Sequence, residues 1–333
     1  MLSKKKFIPF LAPAVFLFSG CGTPLEIKAV QKYAEFQTQS AELFPKISDD
    51  VYKTCIRQLD YIILNRETID TDRGVREAVC NNPETGSIAL KKAYTQTHNI
   101  IREYLGSLGA LAANDLTNYD TEINAVGESI QRLPGLDSGQ RQEAVSAGTA
   151  LARILFTAFT NNYRRRELKE AVITADPSLT KLVVALDTSI KNHYVNGLLE
   201  TERNSLDSYY KLLINPIFNQ REGQGIAVRQ YVTEVLKSNW SENQETIRLK
   251  QDLAASYLTL LKGIACDHAS LKNLFLKTKT ENAENLTCEN TPGLESLFAK
   301  SSTIYPEDLV LVIESYSREV AILNDRADKV FTD

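Results

Sequence analysis

Apolar residues recur every three or four positions along most of this chain. Leu43, Ile47, Val51, Cys55, Leu59 and Ile62 form one such stripe, and Leu179, Leu182, Val183, Leu186, Ile190, Tyr194 and Leu198 form another. Val228, Tyr231, Val235, Ile247, Leu253, Leu260 and Ile264 mark the apolar side of a third. This spacing puts the apolar groups on one face of an α-helix. No sustained two-residue alternation suggests a strand. Glycine and proline are sparse and fall between the periodic segments.

These joints divide the chain. The spacing predicts a first helix from about Glu26 to Arg66, bent or broken at Pro45, which lacks an amide donor. A loop carrying Asp70, Asp72, Gly74 and Asn81-Asn82 follows. Asn82-Pro83-Glu84 then reads as a helix start, and that helix reaches Ala113. Gly106, Ser107, Gly109, Ala110, Ala112 and Ala113 near its end permit close helix approach; a membrane dimer face is the sharper alternative, but Arg102 and Glu103 favour packing in a bundle. A shorter helix spans about Asn118 to Leu133. Asp137 with Gln140 forms a capping box for a helix ending near Ala175. Asp176-Pro177 caps the next, which runs to about Ile214 with an end or kink at Pro216. A long helix covers about Gly225 to Lys277, with a break expected between Ser238 and Asn243. Residues 278–292 read as loop, and a last helix runs from Pro306 to about Val330, its first turn rich in acids that favour the positive end of the helix dipole. The predicted fold is all-α: an elongated antiparallel bundle of long helices over residues 26–333.

The N-terminus follows different rules. Lys4, Lys5 and Lys6 precede an uncharged stretch from Phe7 to Phe18, then Ser19, Gly20 and Cys21. This is the layout of a secretory signal. The stretch is shorter than the about 20 apolar residues needed to span a bilayer. Leu17-Phe18-Ser19-Gly20-Cys21 resembles the lipobox of bacterial lipoprotein precursors, with Phe18 where an aliphatic residue is usual. The resemblance implies a signal peptide over residues 1–20, cleavage between Gly20 and Cys21, and acyl chains on Cys21, with residues 21–25 as a short tether. It covers the signal region only. Gly22 after the cysteine, where aspartate would favour retention, implies the outer membrane by the enteric sorting rule. The expected location is the cell envelope outside the cytoplasm. Two or more acyl chains give stable anchoring where one is marginal.

Charge narrows the partners. The formal charge is −4, and loss of the three signal lysines makes the mature chain more negative. No nucleic-acid partner is expected from an acidic chain. Anchoring falls to the acyl chains on Cys21, with the bilayer as one partner.

Cys55, Cys80, Cys266 and Cys288 remain once Cys21 is assigned to lipid. In an oxidising compartment an even remainder suggests disulfides. Cys55–Cys80 and Cys266–Cys288 are the expected pairs, because each lies in one local segment. Each closes a loop of roughly 25 residues, worth about 3 kcal/mol in the chain-entropy model. A zinc site would need ligand spacings that are missing here, and no metal is expected.

Catalytic chemistry finds little support. His98, His193 and His268 lie in separate segments, outside any H-E-x-x-H or E-x-x-H spacing. Cys266-Asp267-His268 is the densest group of potential ligands, and a disulfide with polar neighbours explains it. Gly223-Gln224-Gly225 lacks the strand-to-helix context of a phosphate loop and reads as an inter-helix turn. Neither Glu202 nor Asp207 is singled out as an acid–base pair. No catalytic residue and no cofactor is expected. Ala144 to Phe159 is apolar on most sides and precedes Arg164-Arg165-Arg166. The arginines are candidates for contact with an acidic partner or a lipid phosphate. The leading expectation is a non-enzymatic, lipid-anchored interaction or scaffold protein with an envelope protein partner. A membrane-inserting helical protein, with Ala144 to Phe159 leaving the bundle, and a ligand-binding helical protein with an internal pocket are the alternatives.

Overall fold

The structure, a computed structural model, describes residues 25–61, 69–113, 123–160, 165–219, 225–276 and 306–331. It is all-α, with no strand among the described residues. The helices are α1 (Leu25–Asp60), α2 (Ile69–Cys80), α3 (Ser87–Ala113), α4 (Ile123–Gln131), α5 (Ser138–Thr160) and α6 (Arg165–Ser189). A π-helical segment, Ile190–Leu199, leads into α7 (Glu200–Asn219), followed by α8 (Ile226–Leu276) and α9 (Pro306–Val330).

The α1–α3 pair is antiparallel and close. Gln31 donates to the Ala112 carbonyl at 3.0 Å, and Ser48 meets Thr95 at 2.8 Å. Phe44 stacks on His98 between them, and Lys91 pairs with Asp49 at the far end. The small residues of α3 permit this approach. A Cβ on Gly109 would lie 2.5 Å from Ala34 Cβ and 2.7 Å from its backbone nitrogen, and one on Gly106 would run into Gln37. α8 runs antiparallel to α1, α6 and α9. Asp187 pairs with Lys262 at 2.8 Å, Tyr316 of α9 packs on Gly263, and Phe331 lies beside Lys250. α9 runs parallel to α1, since Asn324 donates to the Gln39 carbonyl and Lys46 pairs with Asp328.

Several boundaries differ from the sequence-based expectation. α1 passes through Pro45 unbroken and ends at Asp60. One missing amide bond is outweighed because Leu43, Phe44 and Ile47 are buried on either side of the proline. The segment read as a loop after α1 contains a helix, α2, where Arg73 pairs with Asp60 at 2.8 Å. Asn82 makes a turn instead of a cap: its Oδ1 accepts from the amides of Glu84 and Thr85, and α3 begins at Ser87. The Asp137–Gln140 capping box is present in both directions, at 2.8 and 3.1 Å. Asp176-Pro177 lies inside α6, not at a helix start, because the Asp176 carboxylate is taken by side chains of α8. Pro216 lies within α7, and α8 continues without a break from residue 226 to 276. Gly225, at φ 107°, makes the turn into α8.

The π-helical segment had no counterpart in the sequence reading. A π turn frees carbonyls from regular pairing, and neighbouring helices supply donors. Gln58 of α1 donates to the Leu198 carbonyl at 3.0 Å, and Gln251 of α8 donates to Val195 at 3.4 Å.

Cys55 and Cys80 form a disulfide with Cα atoms 5.9 Å apart, tying α2 to α1. Cys266 is also disulfide-bonded. Cys288 lies outside the described residues, as do Gly20, Cys21 and Arg164. Arg165 and Arg166 open α6, and their side chains are likewise outside the description. Ala144, Ala147, Leu151, Ala152 and Leu155 are buried in the bundle, while Ser146 and Arg153 face outward. No described helix is long and apolar enough to cross a membrane.

The α1–α3 contact makes a direct prediction. Gly109→Ala places a methyl against the Ala34 backbone and lowers unfolding free energy by about 1–3 kcal/mol in urea titrations. Gly74→Ala, in open space on α2, leaves stability unchanged or raises it by up to about 1 kcal/mol. Equal effects at the two positions would refute the close-packing argument.

Candidate functional site

The buried face of α8 carries an unusual load of polar residues. Lys250, Tyr257, Asp267 and His268 are all buried on it. They divide the core into three polar layers between the ends of the bundle.

The first layer centres on Asp50 of α1. Its carboxylate accepts from Lys250 at 3.1 Å and from Tyr194 of the π-helical segment at 2.7 Å. Arg57 pairs with it at 2.8 Å and extends to Glu202 of α7 at 2.7 Å. Burial alone would raise the Asp50 carboxyl. The charges of Arg57 and Lys250, with hydrogen bonds from Arg57 and Tyr194, outweigh burial and hold it below the usual carboxylate range. Two cations and two anions balance here, so the layer is a closed structural unit.

The third layer lies toward the residue-25 end. His268 bridges two helices: its Nδ1 is 3.1 Å from Asp176 Oδ1, and its Nε2 is 2.8 Å from the Tyr104 hydroxyl. A carboxylate only accepts, so Nδ1 donates there. Lys272 donates to the other Asp176 oxygen at 2.5 Å. Beside this chain, Tyr316 of α9 donates to Asp267. Burial pushes the Asp267 carboxyl up to about 7, against the lowering effect of that hydrogen bond. The Tyr33 hydroxyl, also buried, has no hydrogen-bond partner.

Between them sits an unsatisfied layer. His98 packs in a three-ring cluster, 4.2 Å from Phe44 and 5.7 Å from Tyr257 between ring centroids, with Phe44 and Tyr257 themselves 5.3 Å apart. Neither His98 ring nitrogen has a hydrogen-bond partner, nor does the Tyr257 hydroxyl. Burial, reinforced by the charge of Arg102, pulls His98 down to about 3. His268 is hydrogen-bonded through both ring nitrogens, whereas neither ring nitrogen of His98 is. His193 is half-buried, with its Nδ1 unpartnered.

A different kind of site lies outside the core. α7 and the first half of α8 form an antiparallel hairpin whose base is fixed by Arg57–Glu202 and whose middle is fixed by Asp207. Asp207 accepts from Trp240 Nε1 at 2.7 Å and Gln244 Nε2 at 2.6 Å. These anchors hold α8 straight where a break was expected. Ile226, Val228 and Tyr231 are 64%, 66% and 68% exposed, and Leu212, Val232, Val235 and Trp240 are exposed with them. The apolar stripe read from the sequence of α8 is therefore buried in its second half and uncovered in its first. α1 runs from residue 25 to the base of this hairpin, about 54 Å at 1.5 Å per residue. The uncovered stripe thus lies at the end of the bundle opposite residue 25.

Sequence reasoning missed Asp50, Arg102, Tyr104, Lys250 and Tyr257. Lys250 and Tyr257 stand seven residues apart on the apolar side of α8, and a charge at such a position was the available signal. Glu202 and Asp207 turn out to hold the hairpin and do not face each other across a cleft. Among the described residues no group of three or more acidic, histidine or cysteine side chains could hold a metal.

The two abnormal titrations have opposite signs. Folded Asp267 retains a proton between the ordinary carboxylate value and about 7 that the unfolded chain has lost, so its contribution to stability falls as pH rises through that window. Folded His98 refuses a proton that the unfolded chain binds between about 3 and 6.5, so its contribution rises with pH. Asp267→Asn is therefore expected to gain on the wild type by about 2 kcal/mol or more between roughly pH 4.5 and 7.5, measured by urea unfolding. A constant difference across that range would show that Asp267 titrates normally.

In comparisons with known protein families, curated proteins and solved structures, nothing matches the chain.

Proposed function

We propose that this chain is a non-enzymatic interaction protein of the bacterial envelope, held to the bilayer through acylated Cys21 and docking a second envelope protein on the α7–α8 hairpin. The observation that carries the reading is the uncovered apolar stripe of Val228, Tyr231, Val232 and Val235 at the end of the bundle away from residue 25. Contiguous exposed apolar surface rimmed by polar groups is a common mark of a protein contact. The rim supplies polar groups of both signs: Arg203, Glu245 and Arg248 line a cleft of about 280 Å³ beside Trp240. A rigid bundle fixes the distance between anchor and hairpin. The Cys55–Cys80 disulfide ties α2 to α1. In this reading Arg164, Arg165 and Arg166 are a secondary contact for acidic partners or lipid phosphate.

The test is cross-linking in the native envelope, followed by affinity capture and mass spectrometry. The expected result is acylated Cys21 and one dominant envelope protein, with capture of that protein reduced at least about tenfold in Val228→Glu/Tyr231→Glu. Those positions are solvent-exposed, so the variant should fold, which circular dichroism checks. Unchanged capture by the variant would exclude the hairpin as the docking surface. An unmodified Cys21 would overturn the anchoring.

A further inference from the structure

The unsatisfied layer at the middle of the core needs an occupant. His98 and Tyr257 are 1% and 0% exposed, and their three polar side-chain atoms have no hydrogen-bond partner. Arg102 stands one helical turn beyond His98 on α3, so the two side chains share a face. Its Nε is buried and also has no hydrogen-bond partner. Its charge acts on both His98 and Tyr257, whose rings are in contact with each other. No carboxylate among the described residues pairs with it. The cations of the first layer do have such partners: Arg57 has Asp50 and Glu202, and Lys250 has Asp50.

A buried polar group without a partner is costly, and a guanidinium with only neutral neighbours more so. Four such atoms lie here within about one helical turn along α3 and the ring cluster: both His98 ring nitrogens, the Tyr257 hydroxyl and Arg102 Nε. Arg102 N–H and Tyr257 O–H are donors, and a neutral His98 ring supplies one more N–H. Three unpartnered donors, one of them charged, suit a small anion. The guanidinium fork matches the two oxygens of a carboxylate. Arg102 is half-buried, so the layer has its exit to solvent along that side chain. Phe44 closes it on the α1 side by stacking on His98.

We propose that Arg102, Tyr257 and His98 form an internal binding site for a small carboxylate, either a free metabolite-sized acid or the carboxyl end of a larger ligand. This site is distinct from the hairpin and does not depend on the docking function. Arg102 supplies the charge and the bidentate contact. Tyr257 donates a second hydrogen bond, and His98 presents an N–H from the same ring cluster. The ion pairs of the layers on either side, Asp50 with Arg57 and Lys250 and Asp176 with Lys272, hold α1, α6 and α8 together around this layer.

The probe is sodium acetate, titrated into the full-length mature protein at constant ionic strength, with chloride as the balancing anion. Two readouts are followed: thermal unfolding, and the ring-nitrogen resonances of 15N-histidine. The expected result is a saturable rise in Tm together with saturable shifts of the His98 nitrogens. Arg102→Met keeps most of the packing and removes the charge. It should weaken the acetate response by about tenfold or more, whereas Arg102→Lys should retain part of it. If Arg102→Met fails to fold, Tyr257→Phe removes one donor without changing shape and should weaken the response by a smaller factor. No saturable response in the wild type would overturn the proposal, as would an equal response in Arg102→Met. His98 nitrogens that exchange with water but ignore acetate would show a hydration site and also overturn it.

Discussion

The buried carboxylate of Asp50 joins more of this molecule than any other single group. It belongs to α1, and through Lys250, Tyr194 and Arg57 it fixes α8, the π-helical segment and, by way of Glu202, the root of α7. A buried ion is expensive to desolvate, and an apolar cluster of similar volume could be as stable or more so. What the ions add is geometry. Arg57 can reach Asp50 and Glu202 together only with α1 and α7 in one register. The register of the hairpin relative to the bundle is set here, and Asp207 with Trp240 and Gln244 continues it outward. The π-helical segment fits the same logic, since Gln58 and Gln251 take carbonyls that a regular helix would have used internally.

Much of the architecture was legible in the sequence because periodicity reports which face of a helix is apolar. Leu43, Ile47, Val51 and Leu59 are all buried as their spacing required, as are Leu179, Leu182, Val183 and Leu186. Turn chemistry was legible where the side chain acts locally, as at Asp137 and Gln140. It was not where tertiary partners compete for the same group. Asp176 looks like an N-cap in one dimension, yet His268 and Lys272 are its partners in three. Prolines 45, 177 and 216 all lie inside helices, and at 45 and 177 buried neighbours such as Phe44 and Leu179 outweigh one lost amide bond.

The candidate sites were less legible for a related reason. Periodicity says where an apolar face points but not whether anything covers it. Val228, Tyr231 and Val235 continue the same stripe as Leu253 and Ile264, and only the end of the bundle near Lys250 divides the covered part from the bare one. The polar core layers depend on residues more than 100 positions apart, such as Tyr104 with His268 at a separation of 164, and no local spacing reports such a pairing. If both proposals hold, the molecule has two separate surfaces for recognition. One is an outer hairpin held rigid by ions at its base. The other is an inner layer of unpartnered polar groups between two ion-paired ones.

The hairpin is the central claim, and its contacts can be read residue by residue in the native envelope. A photo-cross-linking amino acid placed at Val228 or Leu212 on the hairpin is compared with the same group at Val184 on α6 and Leu311 on α9, all exposed positions. The account predicts a discrete adduct with one protein from the two hairpin positions and none from the other two. Adducts of equal yield from all four positions, or from Val184 and Leu311 alone, would contradict it.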